Sequence, residues 1–128
     1  MSAVVVPIVP AIQLKRILYS TDLSSAARTA LPIVASIARN FKSQVYAAYV
    51  WSPLPYTMVT PEAASQLEVR QERDARREVE RIGHSPELKG VPVLPLVASG
   101  DAANELKRMV RENHIDLAVL STHGRTGL

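Results

Sequence analysis

Strand-like and helix-like segments alternate along the whole of this chain. Short apolar segments with strand character cover residues 15–21, 44–51, 91–97 and 115–121. Between them, residues 26–41, 64–82 and 102–112 carry apolar side chains at helical spacing. Parallel strands need connections of helix length, and this order supplies one after each of the first strands. It therefore predicts an α/β fold: an open, doubly wound parallel sheet with helices on both faces, arranged as a three-layer sandwich.

A few residues predict how these elements begin, bend and end. Pro32 is expected to kink the first helix, since proline removes one backbone donor. Gly83 is expected to lie just beyond the second helix as its C′ residue, and Asp101 to cap the third helix. Pro92 and Pro95 weaken the third strand, so we expect that strand near the edge of the sheet.

The composition predicts a single domain spanning residues 1–128, with 1–13 as an N-terminal tail. At 47% hydrophobic and 21% charged residues, the chain is ordinary for a globular protein. It has no cysteine, which excludes disulfides and thiol catalysis and fits a reducing cytosol. No apolar run approaches the ~20 residues of a membrane helix. Prolines interrupt the apolar segment 4–10, which therefore predicts an extended tail or an extra edge strand and not a signal peptide.

The net charge of +3 and the pI near 9.5 raise the question of nucleic-acid binding. The charges do not cluster in the way that such binding needs. Acidic residues and arginines are interspersed and nearly balanced from Pro61 to Ile82, the most charged part of the chain. That pattern is typical of a solvated helix face, and we predict neither a nucleic-acid partner nor a membrane partner.

Small and polar residues follow three of the predicted strands. They are Ser20-Thr21-Asp22, Ser99-Gly100-Asp101 and the segment 121–127. In a doubly wound sheet the carboxyl ends of the strands share one edge, where ligands bind at the point of reversal in strand order. Asp22 is placed either to accept a hydrogen bond from a ribose or base or to support the following helix. Gly100 permits either close approach of a ligand or a tight turn into the helix.

The segment Ser121-Thr122-His123-Gly124-Arg125 resembles a phosphate-binding loop in its chemistry. Glycine lets backbone N–H groups approach an anion, and arginine adds a fixed positive charge. His123 either donates to a phosphate or is an ordinary loop residue. No other metal-binding side chain lies at ligand spacing from His123, so we predict no metal site.

The motifs of several enzyme classes are absent from the sequence. There is no G-x-G-x-x-G fingerprint, no Walker loop and no G-x-S-x-G nucleophile elbow. No pair of carboxylates is spaced for general acid–base catalysis. The local motifs therefore favour a binding protein over an enzyme, with no catalytic residues assigned.

Residues 16–24 (RILYSTDLS) and 116–128 (DLAVLSTHGRTGL) closely resemble the universal stress protein family. Tyr49-Val50 and the segment 98–101 fall where that family has its corresponding segments, and the likeness runs from about residue 14 to the end. The resemblance implies an adenine-nucleotide hydrolase-like, Rossmann-like fold. The family's fifth strand, which commonly forms its dimer interface, is expected to be missing from this sequence.

The resemblance also implies a nucleotide site and its ligand. The side chain of Asp22 and the backbone of Val50 would hold the adenosine, and Gly100 would lie beside the nucleotide. A G-x-x-G stretch would hold the phosphates, with Ser121 in place of its first glycine. The implied ligand is ATP or AMP, and Mg²⁺ is the usual companion of ATP. The implied nucleotide-binding residues are Ser20, Thr21, Asp22, Val50, Gly100, Ser121, Thr122, His123, Gly124 and Arg125.

Two functions are compatible with these sequence features. The first is a cytoplasmic, homodimeric, nucleotide-dependent regulator of the stress response, with at most weak ATPase activity. Four residues of the family pattern favour it: Asp22, Gly100, Gly124 and Gly127. The alternative is a stress-protein-like domain that binds no nucleotide and acts through protein–protein contacts. Ser121 and the lack of the family's later G-[ST] pair favour this alternative. If the sheet lacks the fifth strand, the edge of the fourth strand or a neighbouring edge is expected to pair with another chain, by strand exchange or aggregation.

Overall fold

A computed structural model describes residues 3–4, 12–53 and 59–121 and contains the predicted alternation of strands and helices. The elements, in chain order, are β1 (Arg16–Ser20), α1 (Leu31–Phe41), β2 (Gln44–Trp51), α2 (Pro61–Gly83), β3 (Val93–Ser99), α3 (Ala102–Glu112) and β4 (Leu117–Leu120). Short 3₁₀ turns at Ala27–Ala30 and Pro86–Leu88 precede α1 and β3. None of the helices in the described ranges combines the length and apolar character that crossing a membrane would require.

The strands form one parallel sheet in the order β3-β2-β1-β4. The chain moves outward from β1 to β2 and β3, and then returns across the sheet to place β4 on the other side of β1. Right-handed crossovers therefore put α1 and α2 on one face and α3 on the opposite face. The predicted doubly wound α/β sandwich is confirmed, and the reversal lies between β1 and β4.

Alternate residues of β1 form the two halves of the core. Ile17 and Tyr19 are fully buried under α1 and α2, where they contact the equally buried Val34 and Val79. Leu18, between them in sequence, packs on the other face with Ala48 and Met109. A central parallel strand buried on both faces is expected to contain a continuous apolar run, and Ile17 to Tyr19 form such a run here.

The prediction of one kinked helix over residues 26–41 is wrong. The segment begins with the 3₁₀ turn Ala27–Ala30, and α1 starts only at Leu31. Pro32 is therefore in the first turn of α1, where a backbone N–H has no intrahelical partner and its loss costs little. The proline helps to start a helix and does not bend one.

Gly83 is also placed differently from the prediction. It is the last residue of α2, and His84 follows as the C-cap with φ −95°. Gly83 does not adopt a left-handed conformation, so its backbone dihedral angles do not explain why a glycine is present. A Cβ atom at this position would lie 3.3 Å from the Cβ of Val93, so the glycine lets the end of α2 approach β3 closely.

The third strand begins at Val93, two residues later than the predicted start at residue 91, and extends to Ser99. It occupies an edge of the sheet, as its prolines predicted. Asp101 caps α3, because its carboxylate accepts a hydrogen bond from the backbone N–H of Asn104 at 3.0 Å. The capping prediction is confirmed, and it fixes the chain direction just after the β3 terminus.

Candidate functional site

The strand register brings the predicted site segments to one edge of the sheet. Ser20, the last residue of β1, pairs with Ala48 of β2 on one side and with Leu120 of β4 on the other. Thr21 continues the ladder, since its N–H donates to the carbonyl of Ala48 at 2.9 Å. Ser121 directly follows Leu120 and therefore leaves the sheet beside Thr21. These residues flank the reversal in strand order, where a crevice opens in folds of this kind.

The edge is stepped, because β2 and β3 extend beyond β1 and β4. Val50 lies two residues past Ala48, and the final register pair joins Trp51 to Ser99. At a rise of about 3.3 Å per residue, the extension from Ala48 to Trp51 raises this side of the edge by about 10 Å. Val50, half-buried, is on the raised side above the ends of β1 and β4. The step therefore forms a raised wall beside Thr21 and Ser121, which follow the ends of the shorter strands.

Side chains hold the loop between β1 and α1 in a defined shape. The hydroxyl of Thr21 accepts from the N–H of Leu23 at 2.9 Å, and the carboxylate of Asp22 accepts from the N–H of Ser24 at 2.8 Å. The hydroxyl of Ser24 accepts from the N–H of Ala27 at 3.1 Å. Asp22 therefore supports the approach to the 3₁₀ turn, as one of its two readings predicted, while its side chain is exposed at the sheet edge. The two roles are compatible.

Gly100 has a conformation that requires glycine. Its φ is +139°, a value that L side chains rarely adopt. Its N–H donates to the carbonyl of Trp51 at 2.9 Å, which places it directly above the step. A Cβ atom there would meet the Cγ of Glu105 at 3.4 Å. The backbone thus turns sharply from β3 into α3 and leaves no side chain at the raised part of the edge.

The structure brings together six of the ten predicted site residues. Thr21 is buried, Asp22 is exposed, and the rest of this group are half-buried at the same edge: Ser20, Val50, Gly100 and Ser121. The other four predicted residues, Thr122 to Arg125, lie outside the described residues. The phosphate-binding half of the predicted site therefore stays a prediction.

A cavity of about 510 Å³ lies at the raised part of this edge, with Trp51, Ser99 and Glu105 in its wall. Two others open elsewhere in the described ranges. One of about 600 Å³ lies at the opposite end of the sheet, between the end of α2 and the start of β3, with Gly83, His84 and Val93 in its wall. A smaller one of about 300 Å³ includes Thr21 but opens between the β1–α1 loop and α2. Ligand sites in open α/β sheets lie at the carboxyl ends of the strands, so the larger cavity is a poor candidate.

Sequence reasoning missed one residue that supports this edge. Tyr19 is fully buried below the β1–α1 loop, and its hydroxyl donates to the carbonyl of Ala27 at 2.6 Å. A tyrosine directly after the apolar pair Ile17-Leu18 was the available signal, because buried tyrosine hydroxyls usually have a hydrogen-bond partner. The partner itself depends on how the loop folds back, which local sequence does not reveal.

Comparison with known proteins places the chain in a family. The model of the universal stress protein family matches residues 13–128. This chain belongs to the universal stress protein family. It is 30% identical over 118 residues to a universal stress protein of Methanocaldococcus jannaschii, a match that covers 89% of this chain and 68% of that protein. The predicted family membership is confirmed.

Solved structures share the fold of this universal stress protein. A family member from Burkholderia pseudomallei superimposes with a TM-score of 0.66 at 22% identity, over 89% of this chain and 86% of the other. A family member from Arabidopsis thaliana, solved with AMP bound, gives a TM-score of 0.55 at 14% identity, over 86% and 77% of the two chains. At these identities the likeness establishes the fold.

Proposed function

We propose that this universal stress protein binds an adenine nucleotide, ATP or AMP, at the stepped edge of its sheet and acts as a nucleotide-dependent regulator of the stress response. The observation that carries the proposal is the convergence of Asp22, Val50 and Gly100 at the reversal in strand order. The relative of similar fold from Arabidopsis thaliana, whose structure contains AMP, supports the choice of ligand.

Each described residue has a role in this proposal that its position supports. The exposed carboxylate of Asp22 accepts hydrogen bonds from the adenosine, while the backbone of Val50 meets the base on the raised wall. Gly100, with no side chain, lets the nucleotide lie close to the turn into α3. The phosphates extend toward Ser121 and the predicted loop 122–125. When ATP is bound, Mg²⁺ accompanies its phosphates.

The proposal keeps the sequence-based expectations of a cytoplasmic location and of at most weak ATPase activity. It assigns no catalytic base, in keeping with a sequence in which no pair of carboxylates is spaced for general acid–base catalysis. A regulator of this kind acts because its conformation, or its affinity for a partner, differs between the nucleotide-bound and nucleotide-free states.

Replacing Asp22 with alanine tests the site. Asp22→Ala is expected to weaken MgATP binding by about 1–2 kcal/mol, roughly five- to thirty-fold in Kd, through loss of hydrogen bonds to a charged acceptor. Isothermal titration calorimetry measures the change. Asp74→Ala, which removes an exposed aspartate from α2, is the matched control and should bind as the unaltered protein does. Equal affinities for Asp22→Ala and the control would show that the site is misassigned.

The proposal includes a homodimer formed along β4. Among the described residues, β4 pairs with a strand on one side only, that of β1. On the α3 face, Leu120 is 51% exposed and borders an apolar groove of about 420 Å³. The floor of this groove includes Leu18, and Leu106 of α3 forms its side. An apolar strand edge that is open to solvent favours pairing with a second chain.

A further inference from the structure

Tyr19 carries a hydroxyl that the core does not require. The ring is fully buried between β1 and the α1 side of the molecule, and a phenylalanine would fill the same apolar space. Placing a hydroxyl there is unfavourable unless it has a hydrogen-bond partner. The partner is the carbonyl of Ala27, 2.6 Å away, in the first residue of the 3₁₀ turn. The hydroxyl therefore links β1, inside the sheet, to the loop between β1 and α1 by a hydrogen bond.

The hydrogen bond from Tyr19 to Ala27 holds both ends of the segment 20–26, which contains Asp22. Ala27 is held from both sides, since Tyr19 binds its carbonyl and the hydroxyl of Ser24 binds its N–H at 3.1 Å. Within the closed segment Leu23 has a left-handed φ of 67°. A non-glycine residue in that conformation persists only where its surroundings enforce it. The Asp22 side chain next to it is thus fixed by bonds that end at the Tyr19 hydroxyl.

We propose that Tyr19 is a positioning residue of the nucleotide site, which pins the β1–α1 loop so that Asp22 meets the adenosine without rearrangement. The inference rests on the proposed function, because it takes Asp22 as a nucleotide contact. A loop already held in its binding shape loses less conformational freedom when the ligand arrives, and affinity rises accordingly. The hydroxyl of Tyr19 raises affinity in this way without touching the nucleotide.

The ionisation of Tyr19 agrees with this role. Burial raises the pKa of the Tyr19 hydroxyl above its ordinary value, and the negative charge of Asp22 raises this pKa further. A hydrogen bond with Thr21 and the positive charge of Arg28 act in the opposite direction. The hydroxyl therefore keeps its proton at neutral pH and can donate to Ala27.

A double-mutant cycle distinguishes positioning from a general effect on stability. Tyr19→Phe, Asp22→Ala and the double variant are compared for MgATP affinity by calorimetry, at a temperature where circular dichroism shows each to be folded. Tyr19→Phe is expected to weaken binding about five-fold, in line with the loss of the hydrogen bond to Ala27. In the Asp22→Ala background the same change is expected to leave the affinity unaltered. Tyr46→Phe, at a half-buried tyrosine on β2, is the matched control and should bind normally.

Two results would overturn the inference while leaving the proposed function intact. One is an equal loss of affinity on Tyr19→Phe in both backgrounds, and the other is no loss in either. If Asp22→Ala itself leaves MgATP affinity unchanged, the proposed function fails, and Tyr19 has no site to position.

Hydrogen exchange tests the loop without any nucleotide. Tyr19→Phe is expected to speed exchange at the amides of Leu23 and Ser24 by about five-fold, since the loop opens more often when one restraint is lost. Tyr46→Phe should leave both rates unchanged. Unaltered exchange at both amides in Tyr19→Phe would also overturn the inference.

Discussion

At the scale of single residues, two glycine substitutions distinguish an effect on folding stability from an effect on nucleotide binding. Gly100 and Gly90 both have positive φ, +139° and +81°, but only Gly100 is at the proposed site. Alanine at either position is expected to destabilise the protein by about 1–2 kcal/mol, because an L residue is strained there. Urea unfolding measures this loss for both variants.

Only Gly100→Ala should also weaken MgATP binding, since its new methyl group occupies space at the edge and lies close to Glu105. Gly90→Ala is the control, because a Cβ atom there meets nothing within 4 Å. Unchanged MgATP affinity in Gly100→Ala would mean that the nucleotide does not approach this turn.

At the scale of elements, Asp101 controls how α3 begins. Its carboxylate bonds to the N–H of Asn104, which would otherwise lack an intrahelical partner. Asp101→Ala is expected to cost about 1 kcal/mol of unfolding free energy, and Asp101→Asn to recover most of that loss, because asparagine is an equally good N-cap. Urea unfolding of the two variants measures the difference. Equal destabilisation by both would show that the charge, and not the cap, matters.

Elements whose signals are local were predictable from the sequence. The strand Gln44–Trp51 and the Asp101 cap follow from neighbouring residues alone, and both agree with the structure. Pro32 and Gly83 misled the prediction, because their roles depend on which helix turn or which strand packs against them. The same limit applies to the site. The convergence of the strand ends could be predicted from the fold. The step at Val50 depends on the strand register, and the hydrogen bond of Tyr19 depends on the loop geometry, and neither can be read from local sequence.

At the scale of the whole molecule, the proposed homodimer along β4 predicts self-association. Leu120→Lys is expected to shift the protein toward monomer, because a charge replaces an apolar contact on that edge. Leu94→Lys on β3 is the matched control, since Leu94 is 50% exposed and Leu120 is 51% exposed. Sedimentation velocity over a range of concentrations measures both. A shift toward monomer in both variants, or in neither, would mean that the interface is elsewhere.

A thermal melting curve with and without MgATP shows whether this protein binds a nucleotide at all. Ligand at ten times its Kd stabilises the folded state by about 1.4 kcal/mol, which for a domain of this size raises Tm by about 4–8 °C. We expect such a rise in Tm with millimolar MgATP, and a smaller rise in Asp22→Ala. An unchanged Tm with both MgATP and AMP would contradict this expectation and would favour a protein that acts through protein–protein contacts alone.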